Sequence, residues 1–219
     1  YGIPGHIALV ASQIGVPRDI EGSTYNGMMI LSTEEIDALC DEGWGVSCHG
    51  MNHLHVTDEN IDEELIQSRT RLSDILGRTV SMFCLPGDNS HFTIVHANAE
   101  AAGYRANMTI YDRVNTIDGD LFSLGRVPLH TEYPPPFYSA YDCYKRIHQA
   151  IDCGGWIIDY CHCPVPRKAL HPWKDCTTQE LAMRFEAVRK LGGDEVWLAE
   201  PNEVIDFILN ERASGHSSV

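Results

Sequence analysis

Two histidines, His49 and His53, bracket the segment His49-Gly50-Met51-Asn52-His53. Imidazoles at that spacing can share one face of a helical turn and hold a single metal ion. Spacing alone is weak: eleven histidines in 219 residues give about half a chance pair of this kind. The bland alternative is surface or capping histidines. Position favours the metal: the pair directly follows the short strand-like run Gly45 to Cys48, and chemistry in parallel α/β folds gathers at the C-terminal ends of strands.

Two further features fall at such ends. His162 follows Trp156-Ile157-Ile158-Asp159-Tyr160-Cys161, the most apolar strand candidate. It is placed to act as a general acid or base, or to sit there as a hydrogen-bonded histidine with no chemistry. The neighbouring thiols Cys161 and Cys163 share a strand face opposite to His162, which argues against a joint three-ligand site. Pro86-Gly87-Asp88 is a turn after the run Val80 to Cys84. Asp88 reads as a third ligand, as an orienting carboxylate or, more commonly, as a turn residue bonding its own backbone. His55, His91 and His96 read as structural.

The elements that must position these residues alternate short apolar runs with amphipathic stretches, the rhythm of an α/β fold. His6 to Ala11 reads as a strand. Ser32-Thr33-Glu34-Glu35 is a capping box opening a helix that Gly43 ends. Thr57 or Asp58 caps a second helix, with Ile61, Leu65, Leu72 and Ile75 on its apolar face and Gly77 as its stop. A helix over 92–102 follows, then strands over 105–110 and 121–126. Glu132-Tyr133-Pro134-Pro135-Pro136 reads as a rigid extended loop, followed by a helix through Tyr144 and Ile151. Thr177 or Thr178 caps a helix through Leu191, Glu195 to Ala199 reads as a last strand, and Pro201 opens a final helix. One domain over residues 1–212 and a frayed tail over 213–219 complete this reading.

Composition narrows the partners. A formal net charge of −15 repels nucleic acid and anionic lipid. The apolar runs are too short to span a bilayer. The eight cysteines include no Cys-x-x-Cys pair, which argues against a zinc ribbon. Most are expected to be reduced, with Cys143–Cys153 the exception to look for.

In order along nearly the whole chain, these segments resemble the polysaccharide deacetylase family (NodB-homology domain, carbohydrate esterase family 4). "STEEIDALCDEGWGVSCHGMNHLHVT", residues 32–57, is similar to its second motif region, a helix and strand leading to His-x-x-x-His. "VSMFCLPGDNS", residues 80–90, resembles the third motif, and "AEAAGYRANM" the helix and strand after it. "GGWIIDYCHCP", residues 154–164, looks like the fifth motif, a strand ending in the catalytic-type histidine. "DEVWLAEPNEVIDFI" resembles the last strand and helix, and "YGIPGHIALV" the second strand.

The resemblance implies a distorted (β/α) barrel, with His49 and His53 binding a divalent metal, usually zinc. It implies His162 as general acid to the leaving amine and amides near Gly87, in the Pro86-Gly87-Asp88 region, as oxyanion donors. The implied reaction is hydrolysis of an N-acetyl, or less readily an O-acetyl, group on a carbohydrate. The implied location is outside the cell or at its surface, with the cytoplasm as the alternative. The chain departs from the pattern in three places. No Asp-Asp pair, the family's base and third ligand, occurs in it; the first strand that carries that pair is expected before Tyr1, and its lack leaves an open barrel edge compatible with a homo-oligomer. The third-motif arginine is replaced near Cys84 or Leu85, and Cys163 stands where an aspartate often follows the fifth-motif histidine. Three readings remain: an active metal-dependent deacetylase, a degenerate relative that binds glycan or metal, and a structural or interaction module on the same scaffold.

Overall fold

The computed structural model describes residues 1–129, 141–171 and 173–214. The proline-rich segment over 132–136 and the tail from 215 onward lie outside the described residues. Two compact units are present: one of residues 2–110, 118–124 and 198–214, the other of Tyr1, 111–117, 125–129, 141–171 and 173–197.

The larger unit is built on a parallel sheet in sequential order, β1 (His6–Leu9), β2 (Gly45–Cys48), β3 (Met82–Cys84) and β4 (Ala106–Met108). All of β3 and β4 is buried, as expected of a parallel sheet covered on both faces. Its connections carry helices. α1 (Thr33–Asp41) opens on the expected capping box: the Ser32 hydroxyl accepts from the Glu35 amide and the Glu35 carboxylate accepts from the Ser32 amide. α2 (Ser68–Leu76) stops at Gly77, whose φ of 59° is left-handed. α3 spans Phe92–Asn98. Ile36, Leu65, Leu72, Val95, Phe83 and Leu85 form the fully buried centre of the core.

The second helix starts later than Thr57 or Asp58. The Asn60 side chain accepts from the Thr57 amide (2.7 Å) and donates to the His55 carbonyl (3.0 Å), closing a local turn that competes with helix. A single wide turn, Asp62–Gln67, then leads into α2, with the Ser68 amide bonded five residues back to the Glu63 carbonyl.

In the smaller unit, β5 (Val127–Pro128) pairs in parallel with β6 (Asp159–Tyr160). β7 (Pro164–Val165) pairs in parallel with β8 (Cys176–Thr177). α4 is Ile147–Cys153 and α5 is Thr178–Gly192, opened by a second capping box between Thr177 and Glu180. Arg184 of α5 is fully buried; it forks onto both carboxylate oxygens of Asp159 (2.8 and 3.0 Å) and donates to the carbonyls of Cys143 and Lys145. The chain then returns to the larger unit through α6 (Pro201–Ala213), with proline in its first turn as expected.

Three strand expectations change. The run 121–126 is a short turn, Leu121–Ser123, because the Asp120 carboxylate captures the Phe122 amide; only Leu124 bridges to Met108. Within 156–161 only Asp159–Tyr160 joins a ladder, while Trp156 bridges to Asn115. Gly193–Glu195 is a turn, and 196–199 forms no ladder among the described residues; Trp197 is half exposed, so this run lacks the buried faces a central strand needs. The fold class is α/β with a parallel sheet. Among the described residues the strands form one four-stranded and two two-stranded ladders, not one closed ladder.

Candidate functional site

His49 leaves the end of β2 with its backbone still in the ladder, its amide donating to the Leu9 carbonyl at 2.7 Å. Its ring Nδ1 lies 2.7 Å from the Cys84 carbonyl at the end of β3. A carbonyl only accepts, so Nδ1 donates, and in the neutral imidazole the lone pair is then on Nε2. This is the arrangement by which a backbone carbonyl fixes the tautomer of a metal-binding histidine. The His53 ring stands edge-on to that of His49, with centroids 4.8 Å apart and planes at 76°.

Bringing the two rings together bends the backbone. Gly50 has φ of 84° and His53 has φ of 63°. The left-handed region costs a side-chain-bearing residue roughly 1–2 kcal/mol, so the surroundings must hold His53 there. They do so from the start of the second helix. Glu64, fully buried, accepts from the amides of Met51 (3.0 Å) and Asn52 (3.1 Å). Burial pushes its carboxyl above the usual carboxylate range, opposed by the amides of Asn52, Leu54 and Met51. Glu63 accepts from the Asn52 side chain at 2.9 Å, and Asn60 ties His55 and Thr57 as described above.

Beside this loop runs Pro86-Gly87-Asp88. The Leu85 amide continues the ladder to the Met108 carbonyl (2.9 Å), and Gly87 turns with φ of 71°. A side chain at Gly87 would strike the His55 ring, which is 4.5 Å from the His91 ring between centroids. The Asp88 carboxylate accepts from the Ser90 amide at 2.8 Å; its bonds to Ser90 hold its carboxyl below the usual range. Asp88 is thus a turn cap, the commoner of its readings. His96 pairs with Asp120 at 2.6 Å on the surface.

His162 belongs to the smaller unit, where it is exposed between β6 and β7 and its amide donates to the Lys174 carbonyl at 2.8 Å. Cys161 and Cys163 are half-buried, as alternation requires. A hydrogen bond to the Cys176 thiol, together with burial, raises the Cys161 thiol. Asp175, fully buried, accepts from the amides of Cys163 (3.2 Å) and His171 (2.9 Å). All eight cysteines are free thiols, Cys143 and Cys153 included; the Cys153 thiol instead faces the Ala150 carbonyl at 3.8 Å.

The imidazole pair therefore brings together two side chains of the type that can hold a divalent metal such as zinc. Among the described residues, no third His, Cys, Asp or Glu joins the pair in a ligand cluster. Glu64 was invisible as a site residue in sequence terms. Its one signal is a charge at the third residue after Ile61, on the apolar stripe that continues through Leu65, Ser68 and Leu72.

Comparison with known proteins bears on the larger unit first. The family model for polysaccharide deacetylase matches residues 1–107, which contain His49, His53 and the Pro86-Gly87-Asp88 turn; residues 154–164 lie beyond the match. No curated protein matches. A crystal structure assigned as a polysaccharide deacetylase from Mycobacterium smegmatis is similar in fold, with a TM-score of 0.53 at 17% identity, over 96% of this chain and 73% of that one. A polysaccharide deacetylase from Bacillus cereus is 22% identical (TM-score 0.41, 57% of this chain). A Streptococcus pyogenes deacetylase in complex with acetate is 16% identical (TM-score 0.44, 57% of this chain). This chain spans 37% and 53% of the lengths of those last two. With the His-x-x-x-His pair at the end of a parallel strand and the family model matched across it, residues 1–107 of this chain are similar to the polysaccharide deacetylase family.

Proposed function

We propose that this chain hydrolyses acetyl groups on a carbohydrate, N-acetyl before O-acetyl, with a divalent metal, zinc, bound by His49 and His53. The observation that carries this reading is the paired imidazoles, 4.8 Å apart, with His49 Nδ1 committed to the Cys84 carbonyl. When bound, the metal would polarise the acetyl carbonyl and lower the pKa of a water. The chain's own part is to hold the two imidazoles in place and to offer the backbone N–H groups of Gly87 and Asp88, in the Pro86-Gly87-Asp88 turn, to developing negative charge. His162 keeps the role of proton donor to the leaving amine on the resemblance alone.

The test is acetate release from an N-acetylglucosamine oligomer by the zinc-loaded chain, by the chelated chain and by His49→Ala. Release by the first only supports the reading; equal release by all three, or by none, contradicts it. A second reading, glycan or metal binding without hydrolysis, is favoured by one observation: no third ligand joins the pair among the described residues. Catalytic zinc sites usually have three protein ligands. Zinc uptake and glycan binding with no acetate release is the outcome that selects it.

A further inference from the structure

We infer that Glu64 is a positioning residue, which sets the bend that brings His53 onto His49. The inference rests on reading those histidines as a ligand pair.

Glu64 lies in the wide turn before α2, fully buried, with its carboxylate beneath the loop between the histidines. Oε2 accepts from the Met51 amide at 3.0 Å, and Oε1 and Oε2 accept from the Asn52 amide at 3.1 and 3.3 Å. Those amides belong to the two residues just before His53, whose left-handed φ of 63° needs an external hold. An ionised carboxylate offers acceptors only, so it can gather converging N–H groups that no neutral side chain of its size could. Close approach completes the fit: a Cβ at Gly50 would run into Glu64 Oε2, so the loop meets the carboxylate through a glycine with φ of 84°. The hydrogen bonds of Glu64 run to backbone amides, so it acts on the imidazoles through the backbone, as outer partners of metal ligands do.

Glu64→Gln tests this with nearly unchanged volume, because it turns one acceptor into an N–H₂ group facing amide donors. Amide hydrogen exchange is read first on the metal-free full chain, followed by zinc titration and the Co²⁺ visible spectrum. The expected result is a folded variant with exchange at Met51 and Asn52 at least about 10-fold faster, and zinc affinity about 10- to 100-fold lower. Unchanged exchange at both amides overturns the inference; so does faster exchange with wild-type zinc affinity and Co²⁺ spectrum. Should the wild-type chain take up no zinc, the ligand-pair reading fails separately. The imidazole NMR signals of His49 and His53 then decide: movement in Glu64→Gln upholds the positioning role, and unmoved signals reject it. Should Glu64→Gln not fold, exchange in the wild-type chain decides. Protection at Met51 and Asn52 supports the inference; rates of unprotected amides contradict it.

Discussion

His49 Nδ1 meets the Cys84 carbonyl oxygen at 2.7 Å, linking the ends of β2 and β3 by a bond that orients a ring. The bond dictates a tautomer: in the neutral imidazole the His49 proton sits on Nδ1. Long-range ¹H–¹⁵N spectra of the metal-free chain should show this pattern. A proton on Nε2 would remove the lone pair that the metal reading requires.

The backbone of the intervening loop makes a second demand. Gly50→Ala places a Cβ at φ of 84° and against the Glu64 carboxylate. The variant should lose more than about 1 kcal/mol of stability, with zinc affinity falling alongside. Urea unfolding and zinc titration measure both, and a neutral outcome in both would mean that the loop does not rest on Glu64 through a glycine.

At the opposite end of the sheet, Glu200 hydrogen-bonds His6 Nδ1 and accepts from the Asn202 amide at 3.0 Å. Burial alone would raise its carboxyl, but the His6 bond and charge and the Asn202 bonds outweigh it, and the net shift is downward. A depressed carboxylate contributes stability above its unfolded value, about 4.3, and that stability is lost as pH falls through the lower folded value. Unfolding free energy measured down the acid range should therefore fall, and Glu200→Gln should flatten the slope. Glu64 pulls the other way: its raised carboxyl favours the fold below the unfolded value and loses that contribution as pH rises through the folded one. An unaltered slope in Glu200→Gln would contradict the assignment.

In the smaller unit the stability prediction concerns Arg184. Its guanidinium is fully buried and fully used, by Asp159 and by two carbonyls. Arg184→Met leaves the Asp159 carboxylate and those carbonyls without their donor, at about 3–5 kcal/mol by chemical denaturation. A loss below about 1 kcal/mol would mean that water replaces the guanidinium.

The elements around the histidine pair were legible in the sequence because local chemistry decides them. Ser32 with Glu35 announces one helix start and the Thr177-Thr178 pair another, Gly77 announces a stop, and β2 was legible from Gly45 to Cys48 with His49 at its end. What escaped depends on distant partners. The runs at 121–126 and 195–199 look like strands, but whether they pair is settled by neighbours that the run does not encode. The two-residue pair of β7 and β8 is too short to leave a period. Glu64 shows only as a charge on an apolar stripe; that its carboxylate ends beneath Met51 and Asn52 is a product of packing.

The central claim, that His49 and His53 form a metal site, is tested most directly by metal content per chain after dialysis. The wild-type chain should be compared with the double variant His49→Ala/His53→Ala. The account predicts near-stoichiometric zinc in the wild type and its loss in the double variant. No zinc in the wild type even after zinc is added back, or equal zinc in both, would contradict it.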